Sequence, residues 1–367
     1  VDWKYASPAT ATATSTGSID STTNANTNNT TTTPVVLICH GLQSNTDSPL
    51  VKDMAIAFHQ VGMDVAAINF RGCSGEPNRT PMGYHLSFTQ DLEYLVQQLS
   101  TTQPHRTIYL SGFSLGANVV TKFLADCGSR AFQEYTIGGA AVNAVPFDLT
   151  RAQAVNQPGF SGTVYGKVLL KSLQERVLQS MEQQNIQYNF TKEQLMNCQT
   201  CKEFDDLVVC SVYTEFENAN DYHVKSSTGR ILDKIMVPHY ILQSLDDPFF
   251  QGNINPENNP QLPCRIEYTE HGGHCGYVFH TEEYDRADSS FMPTELARFL
   301  QHVHQVRLGQ KSTKVAWRQP VPLPALSRTY QQKYRRKQAA IAAHSFQARD
   351  FSPIEWATNE HVQTIMG

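Results

Sequence analysis

From residue 34 onward, short apolar runs alternate with amphipathic stretches. Six runs have the length and composition of buried strands, namely 35–39, 64–70, 107–112, 137–145, 239–244 and 265–270. The clearest helical patterns, in which apolar residues recur every three to four positions, are 49–60, 89–99, 115–126 and 293–304. Because parallel strands need crossover helices, this alternation predicts an α/β fold with a doubly wound, mostly parallel sheet.

A Gln-rich stretch from about 150 to 230 interrupts this alternation. It contains helical patterns such as "KVLLKSLQERVLQSM", and no buried-strand run occurs between Val145 and His239. In open α/β sheets, ligands bind beyond the carboxyl ends of the strands. We therefore predict a helical cap that follows the strand ending at Val145 and roofs a pocket.

Composition narrows the possible classes of protein. The chain has 367 residues, of which 40% are hydrophobic and 17% charged, so it can bury one large core. A net charge of -5 provides no basic field for nucleic acid, and no run of eighteen apolar residues predicts a membrane span. Eight cysteines without paired zinc spacing indicate reduced thiols and no metal site. These features favour an intracellular protein, cytoplasmic or membrane-associated, although an upstream signal or anchor could precede Val1.

The pentapeptide "GFSLG" places Ser114 between a predicted strand and a predicted helix. This strand, sharp turn and helix are the context that a nucleophile elbow requires. Gly112 and Gly116 remove side chains where the turn brings the two backbones together, which leaves Ser114 at the tip. The sequence therefore predicts Ser114 as a catalytic nucleophile.

Candidate acids follow the strand at 239–244, as expected for a triad in the order nucleophile, acid, base. Asp246 comes first after the strand, and Pro248 can turn the chain so that the next carboxylate faces solvent. We expect Asp246 to be the acid. Asp247 remains as an alternative in which it caps a helix.

Candidate bases follow the strand at 265–270. His274 is favoured because Gly272 and Gly273 form a flexible turn that can lay an imidazole over the nucleophile. His271 lies nearer the strand and is expected to be a hydrogen-bonded support residue.

An oxyanion hole is predicted in the loop "HGLQSN" after the first central strand. Gly41 permits close approach of the backbone, so the amides of Leu42 and Leu115 are the expected donors. Each donor of this kind typically stabilises the transition state by roughly 3 kcal/mol.

Six segments together resemble the YheT-like branch of the α/β-hydrolase superfamily (AB hydrolase family 4): "HGLQSN", "NFRGCSGEPNR", "GFSLGAN", "EFDDLVV", "SLDDPF" and "HGGHCGY". The resemblance covers about 34–304 and implies the α/β-hydrolase fold. It also implies Ser114 as nucleophile, Asp246 as acid and His274 as base. The branch includes eukaryotic lipases and medium-chain fatty-acid ethyl ester synthases. At "YHLSF" (84–88) the chain departs from the Ser-Gly that the family places after Tyr-His.

The termini suggest an unusual organisation. Residues 351–367 resemble the opening of a family member, and residues 1–5 resemble the end of the hairpin that should precede the first central strand. We expect the sequence to span parts of two tandem hydrolase copies, so that the N-terminal strands of the first are truncated. A mis-joined gene model is the rival explanation.

The other boundaries follow from composition. Residues 6–33 are predicted to be a disordered Thr/Asn-rich insert, residues 34–306 the hydrolase domain, and residues 307–350 a basic, Pro-containing linker. Between 301 and 349 there are ten Lys or Arg residues and no acidic residue. A solvated linker is the expected role of this basic stretch, and peripheral contact with anionic lipid is the alternative.

The predicted function is that of a serine hydrolase that cleaves carboxylic esters of lipid-like or short- to medium-chain acyl groups. It would act on a small-molecule ester or lipid through an acyl-enzyme on Ser114, without metal or cofactor. One alternative is an alcohol O-acyltransferase that uses the same triad. The other is a catalytically inactive binding module.

Overall fold

A computed structural model describes residues 33–151, 166–250, 255–277 and 291–309, together with the backbone of 279–281 and 284–288. The expectations for the hairpin remnant, the Thr/Asn-rich insert, the linker and the second copy fall almost entirely outside these residues. The division into domains therefore stays a prediction.

A six-stranded parallel sheet forms the centre of the molecule, with the strand order β2-β1-β3-β4-β5-β6. Its strands are β1 (Val35–Cys39), β2 (Asp64–Ile68), β3 (Ile108–Phe113), β4 (Ile137–Asn143), β5 (His239–Ser244) and β6 (Cys264–Thr269). A separate antiparallel pair consists of β7 (Phe279–Thr281) and β8 (Tyr284–Asp288). The predicted α/β fold with a mostly parallel sheet is confirmed.

Helices cover both faces of the sheet, which explains why its strands are continuous apolar runs. Along β1, Val35 and Leu37 belong to one buried cluster and Val36 and Ile38 to another. The first cluster includes α2 (Gln90–Thr102) and α3 (Leu115–Cys127), and the second includes α1 (Pro49–Gln60) and α10 (Phe291–Arg307). A short helix, α4 (Arg130–Gln133), precedes β4.

Between β4 and β5, the described residues form helices joined by turns and contain no strand. It contains α5 (Lys167–Gln183), α6 (Lys192–Asn197), α7 (Cys201–Phe204), a π-helix (Asp205–Val209), α8 (Cys210–Val212), α9 (Ala219–Ser226) and a 3-10 turn (Leu232–Lys234). We call this segment the helical insertion. It has a small core of its own that includes Leu170, Leu195 and Phe204. The side chain of Asn118 ties it to α3, because its Nδ2 donates to the carbonyl of Ser226 at 2.7 Å.

All eight cysteines are free thiols. Within the described residues, no three His, Cys, Asp or Glu side chains are grouped as they would be around a metal ion. A search of the same residues for a helix with the length and apolarity of a bilayer span found none.

In three of the buried histidines, burial lowers the pKa of the imidazole from its ordinary value of 6.5: to about 4 for His40 and His85, and to about 3 for His239. Below about pH 6.5 the unfolded chain therefore binds more protons than the folded chain, so stability falls as the pH falls toward these lowered values. Ordinary acid denaturation is in part this effect.

We expect His85→Phe to reduce the loss of stability between pH 7 and pH 5 by about 2 kcal/mol. The His85 ring lies among the aromatic rings of Phe88, Tyr213, Phe216 and Tyr222, which a phenyl group can join. Urea denaturation of both chains at the two pH values measures the difference. An unchanged pH dependence would show that His85 titrates normally in the folded protein.

Candidate active site

Ser114 is held in a strained turn between β3 and α3. Its φ of 55° and ψ of −121° lie in a region that non-glycine residues rarely adopt. Two backbone hydrogen bonds of 3.0 Å fix the turn: the Ser114 amide donates to Asn143 at the end of β4, and the Asn118 amide donates to the Ser114 carbonyl. The strand, turn and helix predicted around Ser114 are therefore present, and they project its side chain from the tip.

The two glycines of the elbow allow α3 to cross β1 at close range. A Cβ added to Gly112 would lie 2.8 Å from the carbonyl oxygen of Cys39, and one added to Gly116 would overlap the same carbonyl group. These contacts are with backbone atoms, which cannot rotate away as a side chain can. Glycine is therefore required by packing at both positions.

His274 lies against Ser114. Its Nε2 is 2.9 Å from Ser114 Oγ, and its Nδ1 is 2.8 Å from Asp247 Oδ2. The loop after β6 reaches this position through left-handed backbone conformations at Gly273 and Cys275, with φ values of 55° and 66°. The structure thus brings together the predicted nucleophile and His274, the favoured of the two candidate histidines.

The acid that contacts His274 is Asp247, so the expectation that Asp246 occupies this place is wrong. Asp247 is 2% exposed, and its two oxygens are divided between His274 and the backbone amide of Phe249, at 2.9 Å from the latter. This bond to the amide two residues ahead is the turn that aspartate favours. It directs the carboxylate of Asp247 inward, although Pro248 was expected to leave that carboxylate facing solvent.

Asp246 points to the other side of the same turn. Its carboxylate accepts hydrogen bonds from the Ser244 hydroxyl, from the Gly273 amide at 2.8 Å and from His271 Nδ1 at 3.2 Å. His271 therefore has the supporting position expected for it, and it supports Asp246 rather than the pair formed by Asp247 and His274.

The loop after β1 approaches the nucleophile at Gly41, where an added Cβ would lie 3.4 Å from Ser114 Cβ. Buried His40 fixes this loop, because its Nδ1 donates to the Gly41 carbonyl at 2.8 Å while its Nε2 accepts from the Phe70 amide at 3.2 Å. Because Nε2 accepts a hydrogen bond, the imidazole must be neutral, in agreement with its lowered pKa of about 4, for which burial is the main cause. The amide of Leu42 comes next along this loop.

Leu115 is the first residue of α3, so its amide is one of those that an α-helix leaves without an intrahelical partner. This is the geometry that an oxyanion donor needs beside the nucleophile. The oxyanion role of the Leu42 and Leu115 amides stays a prediction.

Two aromatic rings that sequence reasoning did not select pack against the imidazole. The ring centroids of Phe249 and Phe250 lie 4.3 Å and 5.4 Å from that of His274. The run of two phenylalanines directly after the Asp-Asp-Pro step was the available signal. These rings shield His274, whose side chain is 19% exposed, from bulk water.

A second group of contacts that was not predicted connects the helical insertion to the loop after β2, and through it to the loop after β1. Arg176 of α5 donates to the Gly72 carbonyl at 2.9 Å, contacts Cys73 Sγ and lies with its guanidinium 5.6 Å from the Tyr84 ring centroid. The Tyr84 hydroxyl in turn accepts from the amide of Gln43 at 2.9 Å. The insertion therefore buttresses the predicted oxyanion loop through Tyr84.

Comparisons with known proteins place this geometry in context. A family model described as "Serine aminopeptidase, S33" (Hydrolase_4) matches residues 30–200. YheT of Escherichia coli (strain K12) is 30% identical over 247 residues, which cover 67% of this chain and 71% of YheT.

Two yeast proteins are also similar. The monoacylglycerol lipase of Saccharomyces cerevisiae is 26% identical over 280 residues, which cover 74% of this chain and 60% of the lipase. Medium-chain fatty acid ethyl ester synthase/esterase 2 of the same yeast is 27% identical over 292 residues, which cover 72% of this chain and 61% of that protein. The chain thus spans less than two thirds of the length of either yeast relative.

Proposed function

Because this chain belongs to the YheT-like branch of the α/β-hydrolase superfamily, we propose that it cleaves carboxylic esters of lipid-like or short- to medium-chain acyl groups. The observation that carries the proposal is the continuous hydrogen-bond chain from Asp247 through His274 to Ser114. A neutral imidazole between a carboxylate and a hydroxyl is the arrangement that turns serine into a nucleophile.

In the first half of the reaction, Ser114 Oγ attacks the ester carbonyl and transfers its proton to His274 Nε2. Asp247 holds the Nδ1 proton, which leaves Nε2 free to accept, and its negative charge stabilises the imidazolium that forms. Because the carboxylate is buried and its other oxygen is occupied by the Phe249 amide, it can keep this orientation throughout the step.

The carbonyl oxygen acquires negative charge as the tetrahedral intermediate forms, and the amides of Leu42 and Leu115 donate to it. His274 then protonates the leaving alcohol, and the acyl group remains on Ser114. In the second half, His274 takes a proton from water as the water attacks the acyl-enzyme, and it then gives this proton to Ser114 Oγ as the acid is released. The cycle returns the imidazole to its neutral form without a metal or a cofactor.

Esters are proposed as the substrates because two relatives that match more than 70% of this chain are named for the cleavage of esters, one as a lipase and the other as a synthase/esterase. The family model carries a peptidase description, but it matches only residues 30–200, which include Ser114 and exclude both Asp247 and His274. The triad geometry is compatible with either bond type, so the choice of ester rests on the relatives.

A series of p-nitrophenyl esters with acyl chains of increasing length tests the proposal, together with labelling by a fluorophosphonate. We expect the chain to hydrolyse the esters and to be labelled, and Ser114→Ala to lose both by a factor of at least about 1,000. The variant is a matched control because it removes only the hydroxyl oxygen. A folded protein that neither reacts with the probe nor cleaves any ester would overturn the proposal and favour the binding module.

Acyl transfer to an alcohol is the second candidate, favoured by the match to a yeast protein named both synthase and esterase. It differs only in the molecule that removes the acyl group from Ser114. We expect added ethanol to yield some ethyl ester alongside the free acid, and product analysis measures the ratio. If only the acid forms at any ethanol concentration, acyl transfer is excluded for that alcohol.

A further inference from the structure

The loop that carries His274 is attached to the rest of the molecule at two places, and His274 lies between them. We call residues 271–276 the base loop. On its near side, the Gly273 amide donates to Asp246 Oδ1 at 2.8 Å, and His271 Nδ1 lies 3.2 Å from Asp246 Oδ2. Asp246 therefore contacts His271 and Gly273, which both lie just before His274 in the chain.

On its far side, the base loop ends at Tyr277, whose side chain is 1% exposed. The Tyr277 hydroxyl accepts from Asn143 Nδ2 at 3.0 Å, and its ring lies so close to Gly272 that an added Cβ there would overlap it. This anchor joins the base loop to the end of β4, beside the turn that holds Ser114.

The anchors at Asp246 and at Tyr277 differ in how deeply their side chains are buried. Tyr277 is packed in the core, whereas the anchor at Asp246 consists of hydrogen bonds from the Gly273 amide and from His271 to its carboxylate. The side chains of Asp246 and His271 are 44% and 48% exposed. Burial alone would raise the pKa of Asp246, but the hydrogen bonds from Ser244, Gly273 and His271 outweigh it and lower that pKa below its ordinary value. The anchored form is therefore the ionised one.

We infer that Asp246 is a positioning residue that fastens the base loop and so sets the placement of the His274 imidazole over Ser114. This inference rests on the proposed function and extends it: the two adjacent aspartates divide the work, with Asp247 orienting the imidazole itself and Asp246 orienting the backbone that carries it. A displacement of about 1 Å in a catalytic group can lower the rate by about 100-fold, so such a fastening has a measurable effect.

Graded substitution in the full chain tests this role. In Asp246→Asn, the amide oxygen can still accept from Gly273, so we expect kcat to fall by only about 3-fold. In Asp246→Ala that acceptor is gone, and we expect kcat to fall by about 10- to 50-fold with KM nearly unchanged. Asp233→Asn is the matched control, since Asp233 is an exposed aspartate in the 3-10 turn that precedes β5, whereas Asp246 follows the other end of that strand.

Hydrogen exchange separates positioning from general destabilisation. We expect amide exchange in the base loop to accelerate in Asp246→Ala, to be less affected in Asp246→Asn, and to stay unchanged in β1 and β3 in both variants. Faster exchange throughout the sheet would mean that Asp246 supports global stability instead, and would overturn the inference. Unchanged exchange in the base loop would also overturn it.

A kinetic comparison of Asp246→Asn with Asp247→Asn tests whether Asp246 is a triad acid instead of a positioning residue. If Asp246→Asn loses as much activity as Asp247→Asn, Asp246 is not merely a positioning residue, and the inference fails. Failure of the proposed function is distinct, because the wild-type chain would then not react with a fluorophosphonate. Exchange in the base loop would still report whether Asp246 fastens it.

Discussion

Asp247→Asn is expected to lower kcat/KM for an ester substrate by about four orders of magnitude, the effect typical of this substitution in a serine triad. An asparagine amide at this place would donate to His274 Nδ1, which would put the imidazole proton on Nε2. That nitrogen could then no longer accept the Ser114 proton across the 2.9 Å that separate the two atoms. Steady-state kinetics, with folding checked by circular dichroism, measure the loss.

The adjacent aspartate supplies the comparison for this experiment, because Asp246→Asn changes the neighbouring residue in the same chemical way. The structure places Asp246 on Gly273 and His271 instead of on His274, so its amide variant is expected to lose only about 3-fold in kcat. If Asp247→Asn remained active and Asp246→Asn did not, Asp246 would be the triad acid, and the geometry of the turn would have to change during catalysis.

Gly116→Ala is expected to destabilise the protein by about 3 kcal/mol or more, the upper part of the usual range for overpacking. The added methyl group would overlap the backbone carbonyl of Cys39, and β1 cannot yield there because it is hydrogen-bonded on both sides, to β2 and to β3. Thermal or urea denaturation measures the loss. Relief of the overlap would also move α3 and the elbow, so reaction of Ser114 with a fluorophosphonate should slow.

Gly83→Ala is the control for this substitution. Gly83 has no heavy atom within 4 Å of the position where a Cβ would stand, and its φ is not in the left-handed region. We expect its free energy of unfolding to change by less than about 0.5 kcal/mol, as at most surface positions. Equal effects at Gly83 and Gly116 would show that the close crossing of α3 over β1 does not limit stability.

The strands and the elbow could be predicted from the sequence, because each has a local pattern of residue types. The six parallel strands were predicted to within two residues at each end, because strands buried on both faces are continuous apolar runs. The elbow could be located because its two glycines mark a place where backbones cross, as the overlap at Gly112 and Gly116 confirms.

The parts that depend on which way a side chain points could not be predicted. Asp246 and Asp247 are chemically identical neighbours, and their roles are separated only by the turn in which Phe249 captures one of them. In the same way, the contact between Arg176 and Tyr84 joins residues 92 positions apart. No local pattern reports such a contact, because it arises from how the insertion docks on the sheet.

The helical insertion leaves the sheet after β4 and returns to it at β5, and these two strands are direct neighbours, with partners from Ala140–His239 to Asn143–Leu242. Any crossover of a dozen residues or more could join the same two strands. In chain topology the insertion is therefore a separable module: its length can change while β3, β5 and β6 continue to present Ser114, Asp247 and His274, provided that the contacts of Arg176 with Gly72 and Tyr84 are kept. Evolution, or an engineer, can thus alter this segment without changing the strand order of the sheet that carries Ser114, Asp247 and His274.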